Sequence, residues 1–263
     1  MIKTGHELSD AEIRRRYDAL GHRGGLGPAF VERVLALAGD LSGARVLDVG
    51  CGMGALLAAV AARWPSARLH GVDVSTARVR TTAATLGSRV ALADADVQHG
   101  LPFARGSFDV VFCTEVLEHL KAPERGLAEI ARVLAPDGAL VVTVPNATGF
   151  APFHRLGALV PGRWLRGKLL PYEHPANTDQ PIDTCFTYRE ILALVDRGGF
   201  DVVRIAGYRY FRYLEMLPLF RTLYRPLAPL VERAAPRVAA QRFAYNLLLR
   251  GTPRGVRAPG AVG

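Results

Sequence analysis

Val46-Leu47-Asp48-Val49-Gly50-Cys51-Gly52-Met53-Gly54 decides how the rest of the chain is read. A short aliphatic run fits a strand buried on both faces, and the glycines after it permit a tight turn into the apolar, helically spaced stretch 54–64. Such a turn lets the backbone approach a ligand with no Cβ in the way, and at the switch point of a doubly wound sheet it opens on a crevice. Asp73 ends the next apolar run, 19 residues after Gly54, where a carboxylate can accept both hydrogen bonds of a ribose diol. Gly50-x-Gly52-x-x-Ala55 also satisfies the loose dinucleotide fingerprint, so these residues alone leave a nicotinamide-dependent oxidoreductase open.

Working outward, strands are expected at 44–49, 68–74, 90–93, 108–113 and 139–144, with helices at 54–64, 76–86 and 123–134 between them. That alternation implies right-handed βαβ units and an α/β fold with a doubly wound, largely parallel sheet. Upstream, Ser9-Asp10-Ala11-Glu12 is a capping box opening a helix to about residue 19, glycines break the chain at 21–27, and 30–41 reads as a second helix. Residues 1–42 are therefore expected to form an N-terminal helical cover and 43–206 the core. Within the core, 147–184 is rich in Pro, Gly and Trp and reads as a loop or lid. A helix at 187–197 stopped by Gly198-Gly199, a strand at 200–206 and a last apolar run at 246–250 follow, with 251–263 expected to be a disordered tail.

The chain has 263 residues, 49 % hydrophobic and 22 % charged, which suffices for one sizeable core. No run of 18 apolar residues occurs and the first sixteen residues are polar, which speaks against a membrane span and a signal peptide. Cys51, Cys113 and Cys185 form no Cys-x-x-Cys pair, so neither a disulfide framework nor a thiolate zinc site is expected, and a reducing cytoplasm fits. Residues 1–200 carry 22 Lys and Arg against 21 acids, whereas 201–263 carry 11 Arg against 3 acids, so nearly all of the +9 net charge sits in the last part. Such an excess attracts anionic partners such as phospholipid surfaces, nucleic acid or acidic substrates, or else is a solvated Arg-rich surface.

Asp48 inside its strand, Leu101-Pro102-Phe103 before Gly106-Ser107-Phe108-Asp109-Val110-Val111, and Leu134-x-Pro136-x-Gly138 before an apolar strand complete an ordered set of motifs. With them, 45–146 resembles the class I S-adenosylmethionine-dependent methyltransferases, in particular the methyltransferase type 11 branch that includes the ubiquinone O-methyltransferases. The resemblance implies a Rossmann-like doubly wound seven-stranded mixed sheet with helical insertions, 200–206 as sixth strand and 246–250 as an antiparallel seventh beside it. It implies S-adenosyl-L-methionine as cofactor, with Gly50, Gly52 and Gly54 along its methionine and ribose part and Asp48 at its amino group. Asp73 would hold the ribose hydroxyls, Val74 would lie against the adenine, and Asp96 with Val97 would flank the adenine amino group, Asp94 being the alternative to Asp96. Cys113, closing the fourth strand, completes the cofactor set. Asp109 reads as a structural contact.

Thr114-Glu115-Val116-Leu117-Glu118-His119-Leu120 follows the fourth strand at the carboxyl edge, where such a sheet places its reacting centre. His119 is the candidate general base, since an imidazole of ordinary pKa about 6.5 accepts a hydroxyl proton at neutral pH, with Glu115 or Glu118 to tune it. The competing reading has His119 packing at a helix start and Glu115 touching only the cofactor. Glu-x-x-Glu-His also resembles the metal-binding segment of small-RNA 3′-terminal methyltransferases, with Glu115, Glu118 and His119 on a divalent ion. The histidine those enzymes add is here Thr184, beside Phe186, and His154 or His174 would serve only if the lid folded back, so no metal is expected.

The function expected is methyl transfer to a small, hydrophobic acceptor, most simply to a hydroxyl, with an oxidoreductase, an RNA methyltransferase and a non-catalytic binding protein as alternatives. Residues 207–231 crowd aromatic and aliphatic side chains among Arg209, Arg212, Arg221 and Arg225, cut by Pro218, Pro226 and Pro229. This fits a peripheral contact with the inner face of the membrane or a lipid-like acceptor, a lid, or a dimer interface. Arginines interleaved with large aliphatics, with no nucleic-acid-binding module, argue against nucleic acid. Oligomeric state is not legible.

Overall fold

A computed structural model describes residues 2–20, 26–150, 180–210, 218–235 and 240–255. Its frame is a seven-stranded sheet of β2 (Arg45–Val49), β3 (Arg68–Asp73), β4 (Val90–Asp94), β5 (Phe108–Thr114), β6 (Leu134–Pro145), β8 (Phe200–Tyr210) and β9 (Ala244–Pro253), in the order β4-β3-β2-β5-β6-β9-β8. The first five are parallel, while β9 runs antiparallel to both β6 and β8. The order reverses between β2 and β5, so the crevice that accepts ligands in such sheets lies beyond their carboxyl ends, at Val49 and Thr114. A second sheet of two short antiparallel strands, β1 (Ile2–Thr4) and β7 (Asp183–Cys185), was not expected from the sequence.

Two apolar cores flank the large sheet. One face packs under α2 (Pro28–Ala38) and α3 (Ala55–Arg63), through Val34, Leu35, Leu56, Leu57 and Val60 against Val46, Leu69, Phe112 and Val141. The other packs under α5 (Pro123–Val133) and α6 (Tyr188–Arg197), through Leu127, Ile130, Ile191 and Leu194 against Leu47, Val111 and Leu140. Buried positions in α5 recur at Pro123, Gly126, Leu127, Ile130 and Val133, the spacing that keeps one helical face on the sheet. Each fully buried Leu or Ile contributes about 1.5–3 kcal/mol of transfer free energy.

The cover helix α1 (Asp10–Leu20) sits over the carboxyl edge, burying Ile13 and Tyr17 against Ile182 and Val74. Ser9 Oγ accepts the Glu12 amide as a cap should, while the Glu12 carboxylate pairs with Arg15 and Arg16. Asp18 of α1 caps α4 (Thr76–Leu86), accepting from Ser75 Oγ at 2.7 Å and from the Ala77 amide at 3.2 Å. Helix α7 (Pro218–Ala234) precedes β9.

Several boundaries differ from expectation for identifiable reasons. Helix α2 begins at Pro28, a residue whose fixed φ suits the first turn, and closes at Gly39 with φ +87°. Strand β6 begins at Leu134, which pairs with Phe108 before an irregularity shifts the register to Val110 opposite Ala139. Strand β8 continues four residues beyond 206, to Tyr210, because β9 stays paired with it to Ala244. At the other end Gly251–Pro253, expected in the tail, pair with Leu140 and with 200–202. Residues 256–263 of the expected tail, 151–179 of the expected lid with His154 and His174, and 211–217 with Arg212 lie outside the described residues.

Candidate active site

The glycine turn is fixed by its own backbone. The amides of Gly50 and Cys51 donate to the Val72 carbonyl at 2.8 and 3.0 Å, and the Gly52 amide donates to Asp73 Oδ2 at 2.8 Å. Gly50, Gly52 and Gly54 have φ of +72°, +53° and +76°, where a side chain is strained. A Cβ on Gly50 would stand 2.4 Å from Val116 Cγ2 and one on Gly54 2.6 Å from Thr82 Cγ2, whereas one on Gly52 would meet only the Gly50 carbonyl at 4.0 Å. Gly50 and Gly54 thus serve the turn and its close packing, while Gly52 leaves open room.

Two adjoining cavities open at the carboxyl edge, of about 590 and about 90 Å³. The smaller is bounded by Asp73, Val74, Asp96 and Val97, and the larger by Asp48, Gly52, Met53, Phe30, Tyr208 and Asn246. Tyr17, Gly50, Arg78, Glu115 and His119 bound both and so form their junction. Asp48 is 1 % exposed and its Oδ1 has no hydrogen-bond partner among the described residues. Burial, with the Asp73 charge nearby, pushes its carboxyl well above the usual range. Asp73 accepts the Ser75 amide through Oδ1 and the Gly52 amide through Oδ2; burial raises its pKa, and these two bonds oppose the rise. Asp96 accepts from the Gln98 amide at 2.9 Å and lies in the cavity wall, whereas Asp94 is engaged by Arg14 and Thr76 and bounds neither cavity.

Two expected cofactor residues have other work. The Cys113 thiol is fully buried in the apolar core, and it is Thr114, one residue on and on the opposite face of β5, that reaches the larger cavity. Gly54 bounds neither cavity and acts as the left-handed N-cap of α3. Asp109 holds Arg45 at the far end of the sheet, with 2.6 Å between Oδ1 and the guanidinium.

At the junction, Glu115 sits in left-handed backbone with φ +54°. Its Oε1 accepts from Thr143 Oγ1 at 2.8 Å and its Oε2 from Asn246 Nδ2 at 3.0 Å. Burial nevertheless lifts its pKa to about 7, these two hydrogen bonds working against the rise. His119 donates from Nδ1 to the Ile182 carbonyl at 2.7 Å, which leaves Nε2 as the basic nitrogen of the neutral ring. Burial lowers the imidazole pKa, so the ring is neutral at neutral pH. The group that orients the ring is thus a backbone carbonyl, while Glu118, one of the two carboxylates expected to tune it, has Oε1 3.9 Å from Nε2. Glu118 is 2 % exposed and burial pushes its carboxyl well up, followed by the charge of Glu115. Among the described residues no three His, Cys, Asp or Glu gather into a metal-holding group, and Thr184 hydroxyl lies 3.0 Å from His6 Nε2.

Sequence reasoning missed Thr143, Asn246, Tyr17 and Arg78. The first two carry a signal, each being a buried polar residue in an otherwise apolar strand run. Tyr17 and Arg78 carry none, since their place depends on how α1 and α4 dock; the Arg78 guanidinium lies 5.8 Å from the Tyr17 ring centre.

Residues 47–142 match the family described as methyltransferase domain. Malonyl-[acyl-carrier protein] O-methyltransferase of Geobacter sulfurreducens is 33 % identical over 194 residues, 72 % of this chain and 68 % of that one. Ubiquinone biosynthesis O-methyltransferase of Alkalilimnicola ehrlichii is 32 % identical over 149 residues, 54 % of this chain and 60 % of that one. Among solved structures, geranyl diphosphate C-methyltransferase of Streptomyces coelicolor, in complex with Mg2+, geranyl diphosphate and S-adenosyl-L-homocysteine, is similar with a TM-score of 0.60 over 93 % of this chain and 98 % of that one, at 16 % identity. That likeness speaks to the fold alone. Two of these proteins are named for oxygen methylation and the third for carbon methylation, so the fold does not set the acceptor atom.

Proposed function

The chain belongs to the S-adenosylmethionine-dependent methyltransferases, and from that premise we propose that it methylates a hydroxyl oxygen of a small, largely apolar acceptor held in the larger cavity. The residues present fit the cofactor: the unpartnered Oδ1 of Asp48 is an acceptor waiting for a cationic donor such as an α-ammonium, and Gly52 leaves the room a ligand needs. Asp48, Gly50 and Gly52 would hold the amino-acid part, Asp73 the ribose hydroxyls, and Val74, Asp96 and Val97 the adenine. Bound, it supplies a methyl group already activated on a sulfonium. What is left to the protein is alignment and removal of one proton.

The observation that carries this reading is the junction, where His119 and Glu115 bound both cavities at once. A neutral His119 with Nδ1–H on the Ile182 carbonyl presents Nε2 as the proton acceptor, and Glu115, clamped by Thr143 and Asn246, fixes the wall beside it. Phe30, Leu26, Leu56 and Tyr208 in the larger cavity supply the apolar surface the acceptor would cover. The test is the pH profile. With His119 as base, kcat/KM rises to a plateau with a midpoint below 6.5, and His119→Ala removes that limb and costs about 10²–10⁴-fold. A midpoint near 7 that vanishes in Glu115→Gln moves the role of base to Glu115.

A second reading concerns where the acceptor comes from. Leu227 and Leu230 are 52 % and 61 % exposed on neighbouring positions of α7, and Pro226, Pro229 and Arg233 beside them are also exposed. We assign this face to peripheral contact with an anionic membrane surface. No helix among the described residues is long and apolar enough to cross a membrane.

A further inference from the structure

Arg209 lies in strand β8 with φ +57°, a left-handed conformation that a non-glycine residue adopts at a cost of about 1–3 kcal/mol and keeps only where its surroundings impose it. The surroundings do. Half-buried Glu232 of α7 accepts the Tyr210 amide at 2.9 Å and faces the Arg209 amide, and it is itself held by Arg33 at 3.1 Å. The Tyr224 hydroxyl, from the same helix, donates to the Tyr210 carbonyl. Pairing of Tyr208 with Asn246 and of Tyr210 with Ala244 pins both sides. In a regular strand successive residues face opposite ways, yet Tyr208 and Arg209 both bound the larger cavity. The strained residue therefore turns a guanidinium towards the acceptor cavity.

That guanidinium has no hydrogen-bonded or ion-paired carboxylate among the described residues and rests 5.3 Å from the Tyr208 ring centre, which stacks on Phe30 at 5.2 Å. The other arginine of the site, Arg78, bounds both cavities and lies beside Asp73, on the cofactor side, whereas Arg209 bounds the larger cavity only. No carboxyl of the cavity pairs directly with this charge: both Glu115 oxygens accept from Thr143 and Asn246, and the Arg209 charge acts on Glu115 only at a distance, opposing the rise in its pKa. An aromatic shelf beside an unpaired arginine suits a molecule with an apolar body and one acidic group.

We infer that Arg209 selects the acceptor by binding an anionic group, carboxylate or phosphate, on the molecule that is methylated, and that Glu232 is its positioning residue. This rests on the larger cavity's being the acceptor pocket. The test titrates 4-hydroxybenzoate, phenyl phosphate and the neutral 4-hydroxybenzamide into the full chain saturated with S-adenosylhomocysteine, by calorimetry. At least one anion should bind tenfold or more tighter than the amide, the two anions telling carboxylate from phosphate. Arg209→Met should abolish that margin and Arg209→Lys keep part of it, with S-adenosylhomocysteine affinity unchanged within twofold in both. Glu232→Gln, which still offers an oxygen to the Tyr210 amide, should retain the margin that Glu232→Val loses. Anions no tighter than the amide in the unsubstituted protein, or a margin that survives Arg209→Met, would overturn the inference. Failure of the unsubstituted protein to bind S-adenosylhomocysteine would instead overturn the cofactor assignment on which the pocket rests.

Discussion

Asp73 ties the glycine turn to the end of β3 and lies in the smaller cavity, so its loss acts on both. Asp73→Ala should weaken S-adenosylhomocysteine binding by at least 100-fold and lower the melting temperature; unchanged affinity in calorimetry would remove the ribose assignment. Glu115 gives a signed pH effect. Its folded pKa of about 7 exceeds the ordinary 4.5, so the stability it contributes is complete below pH 4.5 and is lost as pH rises through 7. Full linkage corresponds to about 3 kcal/mol, and partial exposure to the cavity reduces it to about 2 kcal/mol. Urea titrations from pH 5 to 8 should therefore show Glu115→Gln declining less than the unsubstituted protein; parallel curves would place Glu115 in a wetter site. At this scale the glycines, Asp48 and Asp73 were legible because they lie within about 25 residues of one another. Thr143 and Asn246 were not, since they meet Glu115 across separations of 28 and 131 residues. Nor could the sequence separate Cys113 from Thr114, where one step along a strand decides which of two neighbours faces the cavity.

Helix α6 shows what local sequence can specify. Thr187 Oγ1 accepts the Glu190 amide at 3.4 Å and the Thr187 amide donates to Glu190 Oε2 at 2.9 Å, a complete capping box readable from the spacing Thr-x-x-Glu. Thr187→Ala should cost about 1 kcal/mol, read as a shift in the denaturation midpoint without a change in slope. Strand β8 shows the opposite case. Its last four residues, Gly207 to Tyr210, read from sequence as the start of an aromatic appendage, and only partners on β9 and α7 make them strand. The short strand β7 is likewise invisible locally, yet it brings the Ile182 carbonyl to His119. Strands 200–206 and 246–250 were foreseen in kind and order, but the residues that extend them, 207–210 and 251–253, are held by remote partners and were not.

For the molecule as a whole, the proposed membrane contact places the exposed face of α7 against an anionic surface. Cosedimentation with vesicles of anionic phospholipid should exceed that with neutral vesicles, fall as salt rises, and drop at least fivefold when Leu227 and Leu230 are both Ser. Equal recovery of the double variant would return this face to a lid or a subunit contact. The +9 net charge supplies the long-range attraction for such an encounter, but the sequence could not say which of its arginines face outward.

Strand β9 stands between β6 and β8, so Leu140 meets Gly251 across 111 residues, and β8 touches the large sheet only through a strand made after it. On the ribosome, then, β8 must wait: the nascent β2 to β6 layer can assemble in order of synthesis, but it carries an open edge until β9 emerges. The side of the larger cavity that carries Tyr208, Arg209 and Asn246 comes into being last. Molecules stalled before that moment would hold the smaller cavity but lack the side of the larger one that Tyr208, Arg209, Tyr245 and Asn246 line.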